Sequence, residues 1–201
     1  FFDPSSGRIL MEGRDLLSLT PDELRRKIIM VPQTVSLFSG TLRENLCLAA
    51  PEASEQALWE ALDDVWLKDW VLEQPLGLDT DVGDAGQKLS GGQRQKIGIA
   101  RALLCQAEYI VFDEATSSVD LESEQEIWRC IDSLAQTRTL IIISHRLSTI
   151  RGADNIYVLD RGQVAQQGTH AQLMAESGLY RRLVEEQTLL EQQGEEGLHH
   201  G

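Results

Sequence analysis

Asp113 and Glu114 stand side by side immediately after the apolar run YIVF (109–112). Two adjacent carboxylates at the end of such a run can divide a task. One holds Mg2+, directly or through water, while the other takes a proton from an attacking water. Hydrolysis of a phosphoanhydride asks for that division, together with dipoles arranged around the terminal phosphate. A source of dipoles lies upstream in LSGGQ (Leu89, Ser90, Gly91, Gly92, Gln93). Ser90 and Gln93 have the S-x-x-Q spacing of a capping box, which makes Ser90 the expected N-cap of a helix beginning at Gly91. A helix start offers backbone N–H groups and partial positive charge, and two glycines let an anion approach that backbone closely. Gln33 and His145 complete the set, each at the end of its own apolar run. Taken singly, each feature has a plainer reading: solvated acids, a capped helix that begins with glycines, or a polar residue where a strand leaves the core. The recurrence of polar chemistry at three run ends favours a shared site.

Residues so far apart in sequence meet only if the elements carrying them present them on one edge. The runs KIIMVPQ (27–33), YIVFDE (109–114) and TLIIISH (139–145) do not alternate polar with apolar. Continuous runs of this length suit strands buried on both faces, as in a parallel sheet covered by helices. In such sheets ligands bind beyond the carboxyl ends of the strands, where Gln33, Asp113, Glu114 and His145 would share one edge. Between the first and second runs, residues 41 to 105 read as mostly helical, a small subdomain inserted into the α/β core. Within it Trp59, Leu62, Trp66 and Trp70 recur at helical spacing and are expected to form one buried helix face. Asp120 caps an expected crossover helix carrying Ile127, Ile131 and Leu134 on one face. A hairpin turning at Asp160-Arg161-Gly162 follows, then a helix with the capping pattern Thr169-x-x-Gln172. Residues 191–201 are polar and Gly-rich, and are expected to be disordered, with His199 and His200 solvated.

Composition narrows the function classes. With 201 residues and 42% hydrophobic content the chain can bury a core, and a single domain over 1–190 is expected. Its net charge of −14 repels phosphate backbones, so nucleic acid is not an expected partner and any phosphate must meet a local site. No apolar run approaches the roughly 18 residues of a membrane-spanning helix. Cys47, Cys105 and Cys130 have no metal or redox spacing and read as packing residues.

VPQ, LSGGQRQ, YIVFDEATSSVD and IISHRLSTI, in this order, closely resemble the ATP-binding domain of ABC transporters over residues 1 to 190. The resemblance implies a fold, namely a P-loop NTPase-like α/β domain whose mostly parallel sheet is flanked by helices, with an inserted helical signature subdomain. It implies ATP and Mg2+ as cofactors. Gln33 would be the glutamine sensing Mg2+ and the attacking water, Asp113 the metal residue and Glu114 the general base. Leu89, Ser90, Gly91, Gly92 and Gln93 would form the signature that covers a nucleotide held by a partner domain. Ser118 and Asp120 would belong to the D-loop, and His145 would contact the γ-phosphate. LFSGTLRENL (37–46) and TDVGDAGQ (80–87) resemble the exporter segments that touch a transmembrane domain, although Ala85 stands where many exporters carry arginine.

One family motif has no counterpart. Phosphates are cradled by G-x-x-x-x-G-K-[ST], yet Lys27, Lys68, Lys88 and Lys96 all follow residues other than glycine. The resemblance therefore implies an N-terminally truncated domain, inactive alone, that pairs with a second ATP-binding domain. A transmembrane domain, expected to be fused upstream, would hold it at the cytoplasmic face of the membrane. Two other readings are an ATP-dependent DNA-maintenance head and a non-catalytic fragment that binds a partner ATPase. The first is opposed by the acidic charge and by the short separation of Gln33 and Ser90.

Overall fold

The computed structural model describes residues 3–116 and 119–198. The chain divides into two compact units, Phe1–Ile143 and Ser144–Gly201. The physical reason is that the buried apolar side chains segregate into two separate cores, one within each unit.

The first unit opens with two short antiparallel strands, β1 (Leu10–Met11) and β2 (Arg14–Asp15). Helix α1 (Pro21–Lys27) starts at a capping box of Thr20 and Glu23 and feeds β3 (Ile28–Val31). Then come α2 (Leu42–Cys47), α3 (Glu55–Asp64), α4 (Lys68–Glu73) and α5 (Gly91–Leu104). Strand β4 (Tyr109–Asp113), helix α6 (Leu121–Ala135) and strand β5 (Thr139–Ile143) complete it. The three apolar runs form one parallel sheet in the order β3-β4-β5, with Val31 opposite Phe112 and Phe112 opposite Ile142. The inserted helices share a single core with the sheet: Leu42, Leu58, Leu62 and Ile97 pack in one cluster with Ile110 and Phe112.

Burial on both faces of the sheet, expected from the unbroken apolar runs, is found on one face only. Val31, Ile110 and Phe112 are at most 1% exposed. On the opposite parity Met30, Ile141 and Ile143 are 52%, 46% and 50% exposed. Strand sequence cannot separate these cases, because apolar residues fill both parities and burial depends on which layers lie above each face.

The tryptophan stripe is also broken. α3 ends at Asp64, and Trp66 adopts φ +52 with half its surface exposed. The Leu67 N–H donates to the Leu62 carbonyl and the Trp66 N–H to the Asp63 carbonyl, the pattern of a Schellman stop with tryptophan at the left-handed position usually taken by glycine. That stop turns the Trp66 ring outward, where the Arg129 guanidinium lies 5.9 Å from its centroid, while Leu62 and Leu67 stay buried. The three cysteines are free thiols. Cys130 is buried, and desolvation pushes its thiol up to about 12.

The second unit holds α7 (Leu147–Ile150), the antiparallel pair β6 (Ile156–Asp160) and β7 (Gln163–Gly168), α8 (His170–Ala175) and α9 (Leu179–Leu198). The hairpin turns at Arg161 and Gly162, both at positive φ, as a tight two-residue turn requires. Leu147, Ile156, Val158, Leu173, Tyr180 and Val184 form its core, and His170 Nδ1 lies 2.8 Å from the Tyr180 hydroxyl. α9 runs to Leu198, in keeping with the helix preference of Glu, Gln and Leu. His199 and His200 lie outside the described residues.

The one-sided sheet leads to a direct expectation. Phe112→Ala should cost about 3–5 kcal/mol in this chain, as a large buried side chain does. Ile141→Ala, on the open parity, should cost less than about 1 kcal/mol. Urea denaturation midpoints of the two variants would separate them; equal losses would contradict the one-sided burial.

Candidate functional site

β4 is bonded along both edges, to β3 and to β5, so its carboxyl end is placed by two neighbours. Asp113 is its last residue, opposite Ile143, and by strand parity it shares the open face with Val111, Ile141 and Ile143. Glu114 follows with φ +49, a left-handed backbone that is sterically costly for any residue with a Cβ. Its N–H donates to the Ile143 carbonyl at 2.9 Å, which continues the sheet by one bond beyond the strand. Both carboxylates are half-buried. Gln33 emerges, exposed, two residues after β3, at the same end of the sheet because the strands are parallel. The structure thus brings Gln33, Asp113 and Glu114 to one edge. His145 is exposed and belongs to the second unit.

The head of α5 has the geometry its sequence predicts. The Gln93 N–H donates to Ser90 Oγ at 3.1 Å, and the Ser90 N–H donates to Gln93 Oε1 at 2.9 Å. The capping box satisfies two of the four N-terminal donors, and no helical carbonyl precedes the N–H groups of Gly91 and Gly92. Ser90 is exposed and Leu89 is buried beneath it. The two glycines differ in role. Gly91 is partly exposed, whereas Gly92 is buried against the first turn of α6, where a Cβ would come within 2.5 Å of Ser123 Cβ. Intrachain packing alone accounts for the absence of a side chain at Gly92.

Ser123 also joins the second helix start to the first. Asp120 caps α6 by accepting from the Ser123 N–H at 2.9 Å and from Ser123 Oγ at 2.8 Å, bonds that hold its carboxyl below the usual carboxylate range. The signature helix and the segment leading into α6 therefore meet at Gly92 and Ser123. Ser118 lies outside the described residues. Sequence reasoning missed Ser123, whose only signal is its N3 position after a capping Asp.

The segments 37–46 and 80–87 lie side by side. Thr41 and Asp81 form an antiparallel bridge, the Leu42 N–H donates to Thr80 at 2.9 Å and the Val82 N–H to Gly40 at 2.9 Å. Ser39 Oγ donates to Asp84 at 2.8 Å. Gly86, at φ +75, leaves room for Leu37, and Phe38 is left 65% exposed at the surface of this pair. Ala85 takes a left-handed backbone at φ +50.

Two expectations follow from the strained and crowded positions. Glu114→Gly should raise stability by about 1 kcal/mol, since glycine adopts the left-handed region without steric cost; a lower thermal midpoint would show that the backbone there is unstrained. Gly92→Ala should cost about 1–3 kcal/mol through overpacking. Ser123→Gly in the same chain should recover most of that loss, so the double-mutant cycle would show strong coupling. Additive losses would contradict the close approach of α5 and α6.

Comparison with known proteins gives the family. A family model described as ABC transporter matches residues 1–117. The chain is 46% identical over 188 residues to an uncharacterised ABC transporter ATP-binding protein of Sinorhizobium fredii, covering 94% of this chain and 32% of that protein. It is 46% identical over 183 residues to an ATP-dependent lipid A-core flippase of Ralstonia nicotianae, covering 90% of this chain and 31% of that protein. The structure of a bacterial Atm1-family ABC exporter with ATP bound superposes with a TM-score of 0.86 at 40% identity, over 93% of this chain and 33% of that chain. The chain spans about a third of the length of the curated relatives it matches. With more than half of its residues matched by the family model and the same fold found in an exporter of that kind, the chain belongs to the ABC transporter family.

Proposed function

We propose that this chain is the larger part of an ATP-binding and hydrolysing domain that powers an ABC exporter, coupling the ATP-driven pairing of two such domains to transport across a membrane. The observation that carries the reading is the pair Asp113 and Glu114 leaving β4 side by side, with Glu114 pinned in a left-handed backbone beside Ile143. Strain of this kind persists where the surrounding structure over-determines it, often at reacting groups. Names of relatives, a lipid A-core flippase and an Atm1-family exporter, support the exporter assignment.

In this reading Glu114 accepts the proton of the attacking water and His145 contacts the γ-phosphate. Ser90 and the N–H groups of Gly91 and Gly92 close on the nucleotide held by the partner domain, as a helix start does for an anion. Leu89 and Gln93 fix that helix start, and Ser118 and Asp120 belong to the D-loop. Asp113 and Gln33 fit Mg2+ as hard oxygen donors. Among the described residues no cluster of three acidic, His or Cys side chains could cage a metal. That suits Mg2+, which takes one or two carboxylates and fills its remaining positions with phosphate oxygens and water. When bound, Mg2+ neutralises phosphate charge during hydrolysis.

The phosphate cradle comes from residues outside this chain. All four lysines are engaged elsewhere: Lys27 with Glu12, Lys68 with Asp63, Lys88 with Asp81 and Lys96 with Glu126. Asp113 shares its face with the exposed Met30, Ile141 and Ile143, which suits a covering segment that carries a P-loop. No helix among the described residues is long and apolar enough to cross a membrane. In this reading the exporter's transmembrane domain docks on segments 37–46 and 80–87 at the cytoplasmic face.

In the domain completed by its upstream residues, Glu114→Gln should preserve ATP binding and lower turnover by about 10² or more, the usual worth of general-base assistance. The 201-residue chain by itself should hydrolyse no ATP. Turnover by this chain that Glu114→Gln abolishes would overturn the need for an external cradle, and unchanged turnover of the completed variant would overturn the role of Glu114.

A further inference from the structure

Three residues on one face of α5 grip three successive points of the segment after β3. Gln95, 3% exposed, donates through Nε2 to the Pro32 carbonyl at 3.2 Å. One turn on, Gly98 lets Val35 approach so closely that a Cβ would lie 2.5 Å from Val35 Cγ2. After another turn, Arg101 Nη1 donates to the Ser36 carbonyl at 2.8 Å. The spacing of three keeps all of them on the same side of the helix.

The last contact extends into a second layer. Arg101 also donates through Nε to the Asn45 carbonyl at 2.8 Å and through Nη2 to Asn45 Oδ1 at 2.7 Å. Its three described partners are neutral oxygens rather than a carboxylate, so the guanidinium serves as a three-way fork and not as half of an ion pair. Asn45, 1% exposed, has all four side-chain amide positions filled. Its Oδ1 accepts from Arg101 and from the Phe38 N–H at 2.9 Å, and its Nδ2 donates to the carbonyls of Phe38 at 2.8 Å and Thr41 at 2.9 Å. The backbone of Phe38 is therefore held on both its donor and its acceptor while its ring faces solvent.

We propose that Gln95, Gly98, Arg101 and Asn45 form a splint that makes α5 and segment 33–38 one body, so that movement of the Ser90 end on nucleotide is delivered at Phe38. The inference rests on the functional reading above, in which Ser90 meets nucleotide and Phe38 faces a membrane domain. From Ser90 to Arg101 the helix carries the movement over about 16 Å at 1.5 Å per residue. Arg101 and Asn45 are positioning residues: they act through the backbone of Phe38 and touch neither nucleotide nor the reacting atoms.

The test is hydrogen–deuterium exchange of the full-length protein with and without Mg2+ and a non-hydrolysable ATP analogue. Two variants probe the splint. Arg101→Lys keeps the charge but cannot span three oxygens. Asn45→Asp keeps both accepted bonds and gives Arg101 a carboxylate, yet loses the two donated to Phe38 and Thr41. In the native protein the analogue should change exchange at both 89–95 and 36–41. In each variant the response at 89–95 should persist while that at 36–41 falls about tenfold, the worth of one net hydrogen bond. Exchange at β4 should stay at its native rate, which a general loss of folding would not allow. A response at 36–41 that survives in both variants, or loosening that spreads equally to β4, overturns the splint. If in the native protein only 89–95 responds, the splint alone fails. If neither segment responds, the nucleotide reading fails and the splint falls with it.

Discussion

The position of β4, hydrogen-bonded on both edges in parallel register, is the constraint from which the rest of the first unit follows. Ile110 and Phe112 are completely buried beneath it, and a slip of one residue would turn both toward the open face. The same register decides where the strand ends. Asp113 sits opposite Ile143, and the next N–H reaches back to the Ile143 carbonyl, which leaves Glu114 in a backbone region that glycine would occupy more readily. Two carboxylates emerge at one point because the strand pairing leaves the chain nowhere else to go.

Helix α5 is the second organising element, and its work is done by small side chains. Gly92 lets it meet α6 at Ser123, and Gly98 lets it meet the segment after β3 at Val35. Between these contacts Gln95 and Lys96 are buried with their polar atoms satisfied, Lys96 by Glu126 and the Trp66 carbonyl. A buried cation left without its partner is costly, so the pairing of Lys96 also ties α5 to α6. One helix thus carries an exposed, capped start at Ser90 and a buried, fully bonded shaft behind it.

The charge distribution is consistent with a local rather than a diffuse phosphate site. The chain carries a net charge of −14, and every lysine is engaged by a carboxylate. In the proposed reading, attraction for an anion would come from oriented backbone groups at helix starts such as that at Ser90, and from Mg2+ bound beside Asp113, both short-ranged in effect. This is why the motifs matter more than the composition for the reading of function.

Much was legible in the amino-acid sequence, and for local reasons. Capping boxes at Ser90 and Thr169 and the two-residue turn at Arg161 and Gly162 depend on interactions within a few residues of each other, so their signals lie in adjacent letters, and the three strands announce themselves as unbroken apolar runs. Gln33, Asp113 and Glu114 could be expected at one sheet edge because parallel strands align their carboxyl ends. Other features were decided only by tertiary structure. Apolar residues at both parities of β5 gave no sign that Ile141 and Ile143 would face outward, since exposure depends on the layers above the strand. The outward turn of Trp66 depends on where α3 stops, and a helical period continues through a Schellman stop without a break in the letters. Gly92 reads as a phosphate glycine until Ser123 is seen against it, and nothing in the letters joins Asn45 to Arg101. Each owes its meaning to a contact made across thirty or more residues of chain, which a sequence pattern does not record.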